Sequence, residues 1–112
     1  MTPADELRIR HMIEAAEQAM RFVVGRQRAD LDTDSMLAFA LVRAVEIIGE
    51  AASKVSDETQ AATPSVPWPA IVAMRNRLIH AYFDIDNDIL WKTATGNIPA
   101  LLNRLRPLLP KN

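Results

Sequence analysis

Five polar side chains that can act on a phosphate ester lie within eight consecutive positions: Arg75, Asn76, Arg77, His80 and Tyr82. Histidine titrates near neutral pH, so an imidazole can take a proton from a ribose 2′-hydroxyl or give one to a leaving 5′-oxygen. An arginine can hold a phosphodiester through two parallel hydrogen bonds and stabilise the added charge of a pentavalent transition state. These two roles suffice for metal-free RNA cleavage by transesterification, which leaves a 2′,3′-cyclic phosphate and a 5′-hydroxyl.

The spacing within this run leaves the arrangement of its residues open. Asn76 lies four residues before His80, so on one helix its amide would share a face with the imidazole and could orient it. Arg75 and His80 are five residues apart, roughly 140° around an ideal helix, and would point in different directions. Either the helix loosens near His80, or Arg75 of one chain meets His80 of a second chain across a two-fold axis. Spacing alone also allows ordinary polar residues on a helix surface.

Composition excludes several classes of function. The 112-residue chain has no cysteine and only three, widely spaced glycines, which excludes thiol nucleophiles, Cys-type zinc sites, iron–sulfur clusters and glycine-rich phosphate loops. The longest uninterrupted apolar run, 36–42, is too short to cross a bilayer, and the acidic N-terminus does not resemble a signal peptide. We therefore expect a cytoplasmic protein that uses no metal, no cofactor and no membrane.

Charge is distributed unevenly along the chain. The formal net charge of −1 argues against an extended surface for polyanions. Residues 1–60 nevertheless carry 7 Lys/Arg against 11 Asp/Glu, whereas residues 61–112 carry 6 against 3. The halves sum to −4 and +3, so an RNA-facing surface is expected in the second half, which contains the run 75–82.

Apolar residues recur at spacings of three and four along most of the chain, which predicts an all-α fold. No segment shows strand alternation. We expect a single domain over 1–112, built as an up-down bundle of four or five helices. The expected helices cover 2–24, 35–55, 56–62, 68 to about 80 or 82, and 86 to about 109.

Individual residues mark the ends and irregularities of these helices. Thr2, Ser56 and Asp86 are expected N-caps. Pro99 offers no N–H to the preceding turn, which predicts a kink. Gly49 costs about 1 kcal/mol in a helix relative to alanine, and the close approach of a neighbouring backbone would explain it.

A narrow polar stripe interrupts the otherwise apolar second helix, which is therefore expected at the centre of the bundle. The stripe includes Glu46 and Glu50. They are either a solvated face or the lining of a cleft in which they pair with Arg75 or Arg77. The apolar character of the rest of the helix favours the cleft.

The run 75–82 is identified as the Arg-x4-His-x-Tyr signature of the HepT family, a branch of the HEPN (higher eukaryotes and prokaryotes nucleotide-binding) superfamily. The resemblance covers roughly residues 5–109. Further blocks that resemble the family lie at 43–52, at 66–75 and at 98–102, the last reading Ile-Pro-Ala-Leu-Leu.

The resemblance implies a homodimeric HEPN-fold toxin of a two-gene toxin–antitoxin module, a metal-independent ribonuclease whose motifs gather at a shared cleft. It implies that Arg75 and His80 are the catalytic pair and that Asn76 and Arg77 support them. The implied antitoxin is MntA, a minimal nucleotidyltransferase that transfers AMP from ATP onto the motif tyrosine, Tyr82. The attached AMP would block RNA by its bulk and negative charge.

Two other kinds of function remain alternatives on the sequence alone. The chain could be a non-catalytic dimer that holds a nucleotide or regulates a nucleotidyltransferase which is itself the effector. It could also be a purely structural dimerisation bundle.

Overall fold

Helices make up most of the chain in this computed structural model, which describes residues 1–81 and 84–110, with the backbone alone at 80 and 81. The eight α-helices of that part are α1 (Pro3–Val23), α2 (Asp30–Thr33), α3 (Ser35–Ser53), α4 (Asp57–Ala62), α5 (Trp68–Val72), α6 (Met74–Leu78), α7 (Asn87–Lys92) and α8 (Ile98–Leu105). Two strands, β1 (Ile79–Ala81) and β2 (Asp84–Ile85), a π-helical stretch (Thr93–Asn97) and a 3₁₀ turn (Arg106–Leu108) complete it. The all-α class is thereby confirmed.

The N-caps predicted at Thr2, Ser56 and Asp86 are confirmed, because they depend on local hydrogen bonds. Thr2, Asp34, Ser56 and Asp86 each accept a hydrogen bond from the backbone N–H three residues later, at 3.1–3.2 Å, which satisfies a donor of the first helical turn. Gly25, just after α1, has φ of +72°, a left-handed conformation that suits glycine at a helix end.

Helix α3 lies at the centre of the fold, as its apolar character predicts. It packs most extensively against α1 and also contacts α2, α5, α6 and α7, and its buried side chains join a hydrophobic cluster that reaches from Ile9 to Leu105. Burial is not complete around the helix, however. Met36 and Phe39 are 81% and 67% exposed, because no described element covers this face of the first turns of α3.

Gly49 marks the place where α5 rests on α3. A Cβ atom at this position would lie 3.5 Å from the carbonyl oxygen of Ile71 and 3.7 Å from that of Val72. The expected approach of a neighbouring backbone is therefore confirmed. It sets how closely α5, and α6 after it, lie against α3.

The prediction of one helix from 68 to 80 or 82 is wrong, and so is the expected absence of strands. The helix is interrupted at Ala73, between α5 and α6, and α6 ends at Leu78. The Leu78 carbonyl accepts the Asp86 N–H at 2.8 Å, which takes the acceptor that a continuing helix would need. Strands β1 and β2 then pair antiparallel, with Ile79 opposite Ile85.

The interruption expected at Pro99 takes a different form. The structure has a π-helical stretch, Thr93–Asn97, directly before α8. After this wider turn, α8 begins at Ile98 and has Pro99 in its first turn. At that position the missing N–H of proline costs no helical hydrogen bond. In the described part of the chain, no helix is long and apolar enough to span a membrane.

A buried carboxylate joins the start of α1 to the start of α4. Asp5 is 3% exposed and accepts hydrogen bonds from the Ser56 N–H at 3.0 Å, the Ser56 Oγ at 2.7 Å and the Thr59 Oγ1 at 2.6 Å. These bonds, that of the Ser56 hydroxyl foremost, lower the pKa of Asp5 from 3.8 to about 2. Hydrogen bonds to the ionised form have this effect because protonation would break them.

We predict that Asp5→Asn lowers the thermal stability and flattens its dependence on acid pH. Since the folded-state pKa of about 2 lies below the ordinary 3.8, the carboxylate stabilises the fold fully above pH 4 to 5, and this contribution is lost as the pH falls toward 2. Thermal melts from pH 6 to pH 2 measure the effect. Glu14→Gln, at an exposed position of α1, is the control. A parallel pH profile for Asp5→Asn and the wild type would contradict the assignment.

Candidate active site

The short helix α6 separates a buried face from a polar one. Met74 and Leu78, four residues apart, are buried in the core, while Arg75, Asn76 and Arg77 between them are exposed. Because side chains four apart share one face of a helix, the alternation of types in Met-Arg-Asn-Arg-Leu is enough to place the three polar residues at the surface.

Arg75 is held by α3. Its Nε donates to the Glu46 Oε2 at 3.2 Å, and the two side chains are 47% and 33% exposed. The expected pairing is thus present for Glu46. A guanidinium has five N–H donors. Among the side chains that the structure describes, only the Nε–H of Arg75 is bonded, so the terminal amino groups can meet an anion.

Arg77 leaves α6 on another side. Its Nη2 donates to the Ala70 carbonyl at 3.1 Å. Two residues along a helix correspond to a rotation of roughly 200°, so Arg75 and Arg77 cannot hold one phosphate together from α6. The structure therefore places Arg75 against Glu46 on α3 and Arg77 against the Ala70 carbonyl of α5.

His80 follows the end of α6 by two residues, with its backbone in β1. The first of the two arrangements left open for Arg75 and His80, a departure from helical geometry, is present in the backbone. Asn76 is helical and His80 is not, so the shared helical face is absent, and the orienting role of Asn76 stays a prediction. The His80 side chain and the whole of Tyr82 lie outside the described residues.

Glu50 takes a place apart from Glu46. It lines a shallow cavity of about 190 Å³ together with Arg8, Arg43 and Lys54. The cavity lies between α1 and α3, one helical turn beyond Glu46. Arg8 and Lys54 are not among the predicted site residues, although Lys54 continues the polar stripe of α3 at helical spacing.

A polar network joins α2 and the residues before it to the start of α7. Arg28 donates from Nε to the Asp88 Oδ1 at 2.6 Å and from Nη1 to the Asp32 Oδ1 at 2.9 Å, and the Asn87 amide also donates to Asp32. The Arg28 guanidinium, and then Asn87, lower the pKa of Asp32. Because Arg28 and Asp88 are 60 residues apart, no local sequence signal could have identified this pair.

Metal ligands are not grouped in the described part of the structure, where no cluster of three or more His, Asp or Glu side chains could hold a metal ion.

Comparison with known proteins gives consistent matches. The family model for ribonuclease HepT-like proteins matches residues 12–108. A probable ribonuclease HepT from Thermococcus cleftensis is 40% identical over 79 residues, which cover 70% of this chain and 72% of that protein. A protein of Caldanaerobacter subterraneus that is named as a candidate RNase is 35% identical over 103 residues, which cover 92% of this chain and 92% of that protein. No solved structure gives a significant match.

We predict that Glu46→Ala leaves the free energy of unfolding nearly unchanged. A half-exposed ion pair contributes about 0–1 kcal/mol, whereas Met74→Ala, one position from Arg75, should cost about 2–5 kcal/mol because it empties a buried site. Chemical denaturation of both variants measures the difference. An equal decrease in the free energy of unfolding in the two variants would contradict this prediction. It would show that the Glu46–Arg75 pair stabilises the fold as much as a buried core residue does.

Proposed function

The chain belongs to the HepT-like ribonuclease family, and on that premise we propose that it is a metal-independent endoribonuclease with Arg75 and His80 as its catalytic pair. The observation that carries the proposal is Arg75 itself. It lies within the matched residues 12–108, is exposed, and is held against α3 by the bond from its Nε to Glu46.

The proposed reaction needs only a proton carrier and a fixed cation. The His80 imidazole takes the proton of the ribose 2′-hydroxyl as O2′ attacks phosphorus. The O2′–P bond forms, the P–O5′ bond breaks, and the protonated imidazole gives its proton to the leaving 5′-oxygen. Arg75 holds the non-bridging oxygens and stabilises the charge that builds on them in the transition state.

Glu46 acts in this scheme as a positioning residue. Its bond to the Arg75 Nε restricts the long arginine side chain before substrate arrives, and less rotamer freedom is lost when the phosphate binds. The bond uses the inner nitrogen, which leaves the two terminal amino groups for the parallel hydrogen bonds that a phosphodiester accepts.

We propose that the active form is a homodimer with both motifs at one cleft. Met36 and Phe39 are large, apolar and highly exposed on α3. Glu46 follows Phe39 by seven residues, roughly two turns or 10 Å along nearly the same face. An apolar surface next to Arg75 supports a two-fold contact there, since exposed apolar patches mark association sites.

The proposed regulation is that of a toxin–antitoxin module in the cytoplasm. A cognate MntA-like nucleotidyltransferase would transfer AMP from ATP onto Tyr82, two residues from His80: the tyrosine oxygen bonds to the α-phosphorus, the hydroxyl proton is lost, and pyrophosphate leaves. The added phosphate is an anion that Arg75 could pair with, so it would compete with RNA for the cation as well as fill the cleft.

We predict that the purified protein cleaves RNA in EDTA and that Arg75→Ala and His80→Ala each lower the rate about 10²–10⁴-fold. Arg106→Ala, an exposed arginine paired with Glu17 at 3.2 Å, should leave the rate unchanged. Circular dichroism checks that each variant is folded. Undiminished cleavage by His80→Ala would refute the catalytic pair.

The same variants separate a toxin from a non-catalytic regulator. Expression of the wild type alone should arrest cell growth, and Arg75→Ala or His80→Ala should relieve the arrest. A regulator would cause no arrest in any of the three.

We predict that co-expression with the cognate nucleotidyltransferase raises the mass of the chain by one or more AMP units, and that Tyr82→Phe abolishes the gain. Intact-mass spectrometry measures it, with the chain expressed alone as the control. An unchanged mass, or a gain that persists in Tyr82→Phe, would contradict the proposed regulation.

A further inference from the structure

A cavity of about 310 Å³ lies on the Arg77 side of α6. It is bounded by the proline-rich segment before α5, by α5 and α6, and by the junction of the π-helical stretch with α8. Its volume falls at the lower end of the roughly 300–1,000 Å³ typical of small-molecule sites. No side chain of the Arg75–Glu46 pair lines it.

The floor and walls of the cavity are apolar and stiff. Ile71, Met74 and Leu101 line it and are themselves buried. Pro64 and Pro67 form part of its wall, where the fixed φ of proline limits movement. Such a surface fits the flat apolar face of a nucleobase better than a hydrated ion.

The rim of the cavity carries two anchored guanidinium groups. Arg77 donates to the Ala70 carbonyl at 3.1 Å, and Arg104 donates through Nη1 to the Ser65 carbonyl at 2.7 Å. All four residues line the cavity. Within the described residues, neither arginine forms an ion pair with a carboxylate, in contrast to Arg75. Each bond uses one N–H of five, so two fixed positive charges remain to meet an anion.

Asn97 adds a group that can read a base edge. It is the last residue of the π-helical stretch, is exposed, and lines the cavity beside Arg104. An amide offers both a donor and an acceptor, the combination that base edges present. Single π-turns recur at functional sites, and here the turn ends at the rim of the cavity.

The position of the cavity relative to Arg75 suggests how one strand could occupy both. Arg75 and Arg77 leave α6 on opposite sides, about 10 Å apart across the helix. A single strand crossing α6 would place its scissile phosphate at Arg75 and a nucleotide further along at the cavity. We propose that the cavity is a subsite for that nucleotide, with the base on the apolar floor and its phosphates on Arg77 and Arg104. This inference rests on the proposed ribonuclease function.

The test measures binding of a fluorescent, 2′-O-methylated short RNA, which cannot undergo transesterification. Arg104→Gln should raise the Kd about 10-fold, because it removes a charge-assisted contact. Ala100→Trp should raise it comparably, because Ala100 is an exposed lining residue and the indole fills the cavity without changing charge. Arg106→Gln removes the same charge outside the cavity and should change the Kd less than about 2-fold.

Equal weakening by Arg104→Gln and Arg106→Gln, or unchanged binding in Ala100→Trp, would overturn the subsite and leave only general attraction between charges. Unlabelled short RNA with the same 2′-O-methylation should displace the probe at concentrations where AMP and UMP do not. Displacement by a mononucleotide at equal concentration would mean that the cavity takes a free nucleotide, and would also overturn the proposal. Failure of the ribonuclease function would be recognised separately, as absence of cleavage by the wild type on unmodified RNA.

Discussion

The hydrogen bond from the Asp86 N–H to the Leu78 carbonyl, 2.8 Å long, determines how the polar motif is presented. In a continuous helix that carbonyl would receive an N–H from four residues later. Its capture by Asp86 ends α6 and turns the chain into β1. The motif is thereby divided: Arg75 lies on a helix anchored through buried Met74 and Leu78, while the backbone of His80 lies in a strand.

The parts of the fold that the sequence predicts are those governed by contacts of three or four residues. The N-caps at Thr2, Ser56 and Asp86 and the apolar periodicity of α1 and α3 are of this kind. The β1–β2 hairpin could not be found in the same way, because strands of three and two residues show no alternation and their register depends on a contact between residues 78 and 86. Met36 and Phe39 show a second limit, since hydrophobicity predicts burial without naming the partner that provides it.

In the candidate site, too, the sequence predicts the features that local patterns determine and not those that depend on how distant elements meet. The types Arg, Asn, Arg, His and Tyr define the chemistry. The stripe on α3 predicts that Glu46 and Glu50 pair with Arg75 or Arg77, and the structure pairs Glu46 with Arg75. The divergence of Arg75 and Arg77 is a matter of helix rotation, and the cavity beside Arg77 needs α5, α6 and α8 to meet. The near-neutral net charge of −1 is compatible with this arrangement. Arg26, Arg28, Arg75 and Arg106 pair with carboxylates, whereas the two arginines at the cavity donate to backbone carbonyls.

The chemistry of the RNA ends tests the central claim most directly, because only attack by the neighbouring 2′-hydroxyl produces a cyclic phosphate. Mass spectrometry of a short RNA cleaved in EDTA should show 2′,3′-cyclic phosphate and 5′-hydroxyl ends, and a single 2′-deoxy substitution at the cleaved nucleotide should block the cut. Products with 5′-phosphate and 3′-hydroxyl ends, or cleavage that persists beside the 2′-deoxy position, would contradict a mechanism built on Arg75 and His80.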